Sequence, residues 1–119
     1  MSAILVVDDE PGIVETVAEL LSWDGHTVIT AHDGAEALAL LASGKHVDLI
    51  VMDFMMPVKD GIETLREIRA NAELDSVKVI LTTAAPMNIP KDAPRYDFLL
   101  VKPFSIEALN GAIKKVLPH

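Results

Sequence analysis

Five short, mainly apolar runs punctuate the chain: Ile4–Val7, Val28–Ala31, Leu49–Met52, Val79–Thr82 and Phe98–Val101. They are continuous and do not alternate apolar with polar, so they predict strands buried on both faces, the condition of a parallel sheet. Helical spacings fill the intervals. Ile13, Val14, Val17, Leu20 and Leu21 share one face behind Pro11, which suits the first turn of a helix. Asp33-Gly34-Ala35-Glu36 predicts a capping box before a helix whose apolar side is Ala35, Leu38 and Leu41, and Asp60-Gly61-Ile62-Glu63 repeats the signature before Leu65 and Ile68. Ser105 predicts the cap of a last helix that buries Ile106, Leu109, Ile113, Val116 and Leu117 and ends at Pro118. Strands alternating with helices make an α/β fold with right-handed crossovers and helices on both faces of the sheet. One connection departs from this. Residues 84–97 contain Pro86, Pro90 and Pro94, a spacing no stable helix tolerates, so a loop with at most one short turn is expected there.

At 119 residues, half of them apolar, the chain is expected to form one domain, 1–119, with a core large enough to need no disulfide or structural metal. It has no cysteine, which excludes a thiol nucleophile and a thiolate zinc site and fits a cytoplasmic location. The Met-Ser-Ala start has no basic segment, and the apolar run behind it is cut by Asp8, so neither a signal peptide nor a membrane span is expected. The formal net charge of -8 is unevenly placed: up to residue 58 the only base is Lys45, whereas the acids and bases beyond it nearly balance. That sign disfavours direct binding of nucleic acid.

In an open α/β sheet, ligands bind beyond the carboxyl ends of the strands. Asp8, Asp9 and Glu10 follow the first run, Asp53 the third, Thr83 the fourth and Lys102-Pro103 the fifth. Carboxylates brought together there repel, each pair by about 4 kcal/mol at ~4 Å for an effective dielectric near 20. An all-oxygen donor set with open water positions favours magnesium as the offsetting cation. Taken singly, each residue has a plainer role: Asp8 or Asp9 as a helix cap, Asp53 as a turn residue, Thr83 as a strand end, Lys102 as solvated charge. Their coincidence at four strand ends favours a site. His26, His32, His46 and His119 lack ligand spacing, Leu21 and Trp23 are expected to pack, and Met55-Met56-Pro57 is expected to be a loop beside the site. No phosphate-binding Gly-Lys-Ser/Thr loop is present.

Four stretches, Ile4-Leu5-Val6-Val7-Asp8-Asp9-Glu10-Pro11, Val51-Met52-Asp53-Phe54-Met55-Met56-Pro57-Val58-Lys59-Asp60-Gly61, Leu81-Thr82-Thr83-Ala84 and Leu100-Val101-Lys102-Pro103-Phe104, resemble the receiver domains of two-component response regulators, including the single-domain chemotaxis regulator. The likeness spans essentially the whole chain. It implies a flavodoxin-like, doubly wound five-stranded parallel sheet of order 2-1-3-4-5, here with the fourth helix shortened or replaced by the proline-rich loop. It implies that Asp53 accepts a phosphoryl group from a phosphohistidine on a sensor histidine kinase or a histidine phosphotransfer protein. Asp9, Asp53 and the backbone carbonyl of Met55 would ligate Mg2+ directly and Asp8 through water. Lys102 and Thr83, the threonine 30 residues beyond Asp53, would each pair with a phosphoryl oxygen. Pro103 is implied to follow a cis peptide bond.

Such a protein is a phosphorylation-dependent switch, not an enzyme, its chemistry limited to transfer onto Asp53 and autodephosphorylation. It acts on a protein target, as a monomer or a phosphorylation-dependent dimer. In the family an aromatic three residues before the lysine rotates when the threonine moves. Here that position is Leu99, with Phe98 beside it and on the opposite face, so three cases stand: a bulge brings Phe98 round, Leu99 makes a weaker rotation, or the coupling is absent. Without the fourth helix, signalling is expected through another face, the first helix or a reorganised proline loop. Two readings remain as alternatives: a non-phosphorylated scaffold, or a receiver piece of a larger regulator or hybrid kinase. The helix ending near Leu117 leaves no output domain in this sequence. An aspartyl-phosphate phosphatase would carry its nucleophile on the first strand and need a cap. An electron carrier of similar fold would need a phosphate cradle where Asp8, Asp9 and Glu10 stand.

Overall fold

A computed structural model describes residues 2–117; Pro118, expected to end the last helix, and His119 lie outside the described residues. Strands β1 (Ala3–Val7), β2 (Thr27–Ala31), β3 (Leu49–Asp53), β4 (Lys78–Thr83) and β5 (Phe98–Val101) pair in parallel in the order β2-β1-β3-β4-β5. The expected doubly wound sheet is therefore present. Helices α1 (Pro11–Trp23), α2 (Gly34–Ala42), α3 (Gly61–Ala70) and α4 (Ile106–Val116) cover it.

Strand alternation sorts the apolar runs into two cores. Leu5, Val7, Ile50, Met52, Val79 and Leu81 face α2 and α3, meeting Ala37, Leu41, Ile62, Leu65 and Ile68. Ile4, Val6, Leu49, Val51, Ile80 and Leu100 face α1 and α4, meeting Leu21, Leu109, Ala112 and Ile113. All five residues of β3 are buried, so the unbroken run follows from a central strand covered on both sides.

The helix starts differ in detail from expectation. Asp60 and Glu63 close a full capping box on α3. On α2 only half of one forms: Asp33 accepts from the Glu36 amide at 2.8 Å, while Glu36 accepts from the amide of His32, not Asp33. The apolar face of α2 also turns. Ala35 is exposed, and Gly34, Ala37 and Leu41 are buried, with Leu38 only partly so. Gly34 is the reason: a Cβ there would run into the Thr64 hydroxyl and lie 2.7 Å from the Lys59 carbonyl oxygen, so the bare backbone itself packs against α3. Trp23 was expected to pack, but at the end of α1 it is 72% exposed.

Between β4 and β5 no α-helix forms. A single 3-10 turn, Pro86–Asn88, opens a strap that crosses the sheet on the α3 side and packs Ile89, Ala93 and Tyr96 against the core. Its far end is stapled by Arg69 of α3. The guanidinium donates to the carbonyls of Arg95 (3.0 Å), Asp75 (2.9 Å) and Val77 (2.8 Å) and to Asp97 (3.2 Å), whose carboxylate also accepts from the Val79 amide at 2.8 Å. Among the described residues no helix is long and apolar enough to cross a membrane.

Candidate functional site

The parallel register brings the strand-end residues together. Val7 pairs with Met52, Asp53 with Thr82 and Thr83 with Val101, so Asp8 and Asp53 stand level, with Thr83 one residue and Lys102 two residues further along the neighbouring strands at the same edge. The ladder runs one residue further, from the Phe54 amide to the Thr82 carbonyl and from the Lys102 amide to the Thr83 carbonyl. Gly61 lets the start of α3 close against this edge, since a Cβ there would sit 2.5 Å from the Asp53 carbonyl oxygen.

Asp8, Asp9 and Asp53 each present a carboxylate oxygen within 4.8 Å of the others; Asp8 and Asp53 are buried and Asp9 is exposed. Helix capping does not account for this gathering. Glu10 is the N-cap of α1 and makes no side-chain cap bond, while Asp8 folds back to accept from the Glu10 amide at 3.0 Å. Lys102 reaches in from the far side. Its ammonium lies 2.8 Å from Asp8, 3.4 Å from Asp53 and 3.8 Å from Glu10. The Lys102–Pro103 peptide bond is cis.

One lysine does not neutralise three aspartates. Burial, then the charge of Asp8, pushes the Asp53 carboxyl up to about 6, against the opposing pull of Lys102. Burial works to lower the pKa of Lys102, but its hydrogen bond to Asp8 and the charges of Asp53 and Asp8 outweigh that, and it rises. Three oxygen donors in a mixed buried and open setting, with excess negative charge, suit a hard divalent cation.

Thr83 is 1% exposed, and its hydroxyl accepts from the Ala85 amide at 3.0 Å. Strand alternation puts it on the face of Leu81, the face that Leu99 also joins. Phe98 packs on the opposite face, under the ammonium of Lys115 at 5.5 Å. The β4–β5 register is continuous from Phe98 to Val101, so no bulge brings Phe98 round. Met55 stands two residues beyond Asp53 with its side chain 59% exposed, whereas Met56 is buried. The three histidines among the described residues lie apart from the site: His26 accepts from the Ser2 amide, His32 sits between Glu15 and Glu36, and His46 pairs with Asp48. An apolar cleft of about 540 Å³, lined by Ile13, Val17, Leu20, Phe104 and Ile106, opens beside Lys102. Gly34 and Gly61 stand in the capping motifs of the sequence, but the close approach each permits shows only in the fold, and Arg69, which acts by long-range bonding, carries no motif at all.

This arrangement defines a class. The family model for the response regulator receiver domain matches residues 4–114, and the chain belongs to that family, the phosphorylation-dependent switches of two-component signalling. The chain is 38% identical over 120 residues to the transcriptional regulatory protein CpxR of Klebsiella pneumoniae, covering 98% of this chain and 50% of CpxR. It thus spans about half the length of the curated relatives it matches. Among solved structures, the chemotaxis response regulator CheY4 of Vibrio cholerae superposes with a TM-score of 0.88 at 32% identity, over 98% of both chains. The response regulator TrrA of Thermotoga maritima, solved with Mg(2+)-BeF, superposes with a TM-score of 0.83 at 37% identity, over 98% of this chain and 99% of that one.

Proposed function

We propose that residues 1–119 form a receiver domain in which Asp53 is the phosphoacceptor. The reading is carried by one observation: Asp8, Asp9, Asp53 and Lys102 converge from three strand ends on a single, partly buried edge of the sheet. An Asp53 oxygen attacks the phosphorus of a phosphohistidine on a sensor kinase or phosphotransfer protein. The new O–P bond forms as the N–P bond breaks, its electron pair staying on the imidazole. Charge spreads over three phosphoryl oxygens in a loose transition state, so the protein's work is placement and neutralisation. Asp9, Asp53 and the Met55 carbonyl would hold Mg2+, with Asp8 beside them, and the bound ion would supply positive charge against which a dianion can approach three carboxylates. Lys102 leaves Asp8 for one phosphoryl oxygen and the Thr83 hydroxyl donates to another. Water later attacks the phosphorus, releasing phosphate and restoring the carboxylate.

The apolar cleft beside Lys102 is a fitting seat for the donor, since it borders the site without covering it. Transfer is self-catalysed and the protein otherwise acts as a switch on a protein target, as a monomer or a phosphorylation-dependent dimer. Incubation with Mg2+ and acetyl phosphate or phosphoramidate, followed by intact mass, tests the reading. A labile phosphoryl adduct that Asp53→Asn abolishes is expected; a wild-type protein that binds Mg2+ and takes no adduct from an active donor overturns it.

A further inference from the structure

We infer that the outer edge of β2, with the helix faces on either side of it, is a docking trough for an extended, basic segment of a partner protein. The trough uses residues that have no role at the phosphoacceptor edge. β2 ends the sheet and pairs only with β1. The Thr27 amide donates to the Ser2 carbonyl and the Ala31 carbonyl accepts from the Asp8 amide, so residues 27, 29 and 31 turn their peptide groups inward. Val28 and Thr30 therefore turn theirs outward. The outward amides that flank them are already bonded, His26 to the Leu21 carbonyl and His32 to the Glu36 carboxylate. That leaves two donors and two acceptors in line, on a strand with no charge, proline or bulge to blunt it. Such an edge is completed by another strand.

The flanking side chains define what that strand carries. Near the end of β2, Glu15 of α1 and Glu36 of α2 flank the His32 imidazole at 3.6 and 3.4 Å. α1 packs back along β2, so Glu19 and Trp23 continue the row of Glu15 one and two turns on. From Glu36 the same spacing leads to Leu40, which is partly buried. Among the described residues no lysine or arginine pairs with Glu15, Glu19 or Glu36. The trough is thus acidic at the His32 end and apolar at the Trp23 end, where the indole is 72% exposed. Successive side chains of an added strand alternate between the α1 and α2 faces. Two neighbouring basic residues then meet Glu15 and Glu36, one on each face, and an apolar residue farther along meets Trp23 or Leu40. A second copy of the chain is a poor occupant. With a net charge of -8, and Lys45 the only base before residue 59, it sets like charges against each other.

Trp23 is the only tryptophan of the chain, so its emission reports binding directly. The probe is a capped peptide, Arg-Lys-Val-Thr-Val-Leu, titrated beside its reversed-sequence isomer and followed also by amide hydrogen exchange. Saturable binding of one of the two is expected, with the Val28 and Thr30 amides exchanging at least tenfold more slowly and the Trp23 emission shifted to the blue. Replacing the Arg and Lys of the peptide by Glu, or Glu15→Gln/Glu19→Gln in the protein, weakens binding at least fivefold. Thr30→Pro takes away an outward donor and leaves the β1 ladder whole, so it abolishes binding while circular dichroism shows the fold kept. A fully N-methylated peptide, which cannot pair with an edge, fails in the same way and leaves the protein unaltered. The proposal is overturned by absence of binding, by binding that leaves the Val28 and Thr30 amides unprotected, or by equal binding of the acidic peptide. Protection of those amides without peptide, with a dimer in sedimentation, makes the occupant a second copy and overturns it too. None of these results depends on whether Asp53 takes a phosphoryl group.

Discussion

Asp53 is held where ionisation is costly, yet the proposed role of phosphoacceptor and cation ligand requires the ionised form. Its carboxyl rises from 3.8 to about 6 because burial and Asp8 disfavour the charge. A raised carboxylate means the folded chain binds the proton more tightly than the unfolded chain does. The stability penalty is therefore complete above about pH 6 and relieved as pH falls towards 3.8. The full linkage is about 3 kcal/mol, which screening by water at the open edge of the site reduces to about 1–2. Urea unfolding without metal should find Asp53→Asn more stable than wild type by that amount at pH 8 and equal to it near pH 4. A second residue stores strain. Val58 sits at φ 67° in a tight turn closed by the Lys59 amide on the Pro57 carbonyl, a left-handed conformation that a β-branched side chain resists. Its side chain is 82% exposed, so nothing is lost from the core on replacement. Val58→Asn should raise stability by about 1 kcal/mol in denaturant titration.

Elements stay in place here through a few contacts that local pattern does not announce. The three prolines already exclude a helix between β4 and β5, but the route of the strap depends on Arg69. Its side chain is 9% exposed and donates to three carbonyls and a carboxylate. Arg69→Met keeps much of the apolar stem but leaves the largely buried Asp97 with only the half-exposed Arg95, 3.5 Å away, as ion-pair partner, so it should cost about 3 kcal/mol in urea unfolding. Asp97→Asn keeps an acceptor for the Val79 amide and should cost less than half as much. At the site end, Gly61→Ala forces a methyl against the Asp53 carbonyl oxygen, a backbone contact that cannot swing aside. It should slow acetyl-phosphate labelling of Asp53 as well as lower stability, whereas Gly111→Ala on α4, with open space around it, should do neither. Helix starts were legible only as far as chemistry is local. The Asp60–Glu63 box closed as its spacing implied, but Glu36 found the His32 amide, and α2 rotated until Gly34 met α3.

For the molecule as a whole, folding and the proposed cation binding act on the same charges. Asp8, Asp9 and Asp53 are brought together by the sheet, so a cation that joins them binds only the folded state. Saturating Mg2+ should raise the melting temperature, equivalent to about 2.7 kcal/mol at 100 times its dissociation constant. Asp9→Asn and Asp53→Asn should each lose most of that increment in a calorimetric titration. Sequence alone settled the alternation of strands and helices, the parallel sheet, the absence of a long helix between β4 and β5 and the five residues at the strand ends. These depend on near-neighbour periodicity and on proline's missing N–H, both of which a linear chain displays. Only the tertiary structure decided that Lys102 pairs with Asp8, that Phe98 and Leu99 face opposite cores without a bulge, that Trp23 lies in water and that Arg69 staples the strap. Those outcomes join residues distant in sequence or depend on which face a helix turns inward. They are set by packing against partners that no local pattern names.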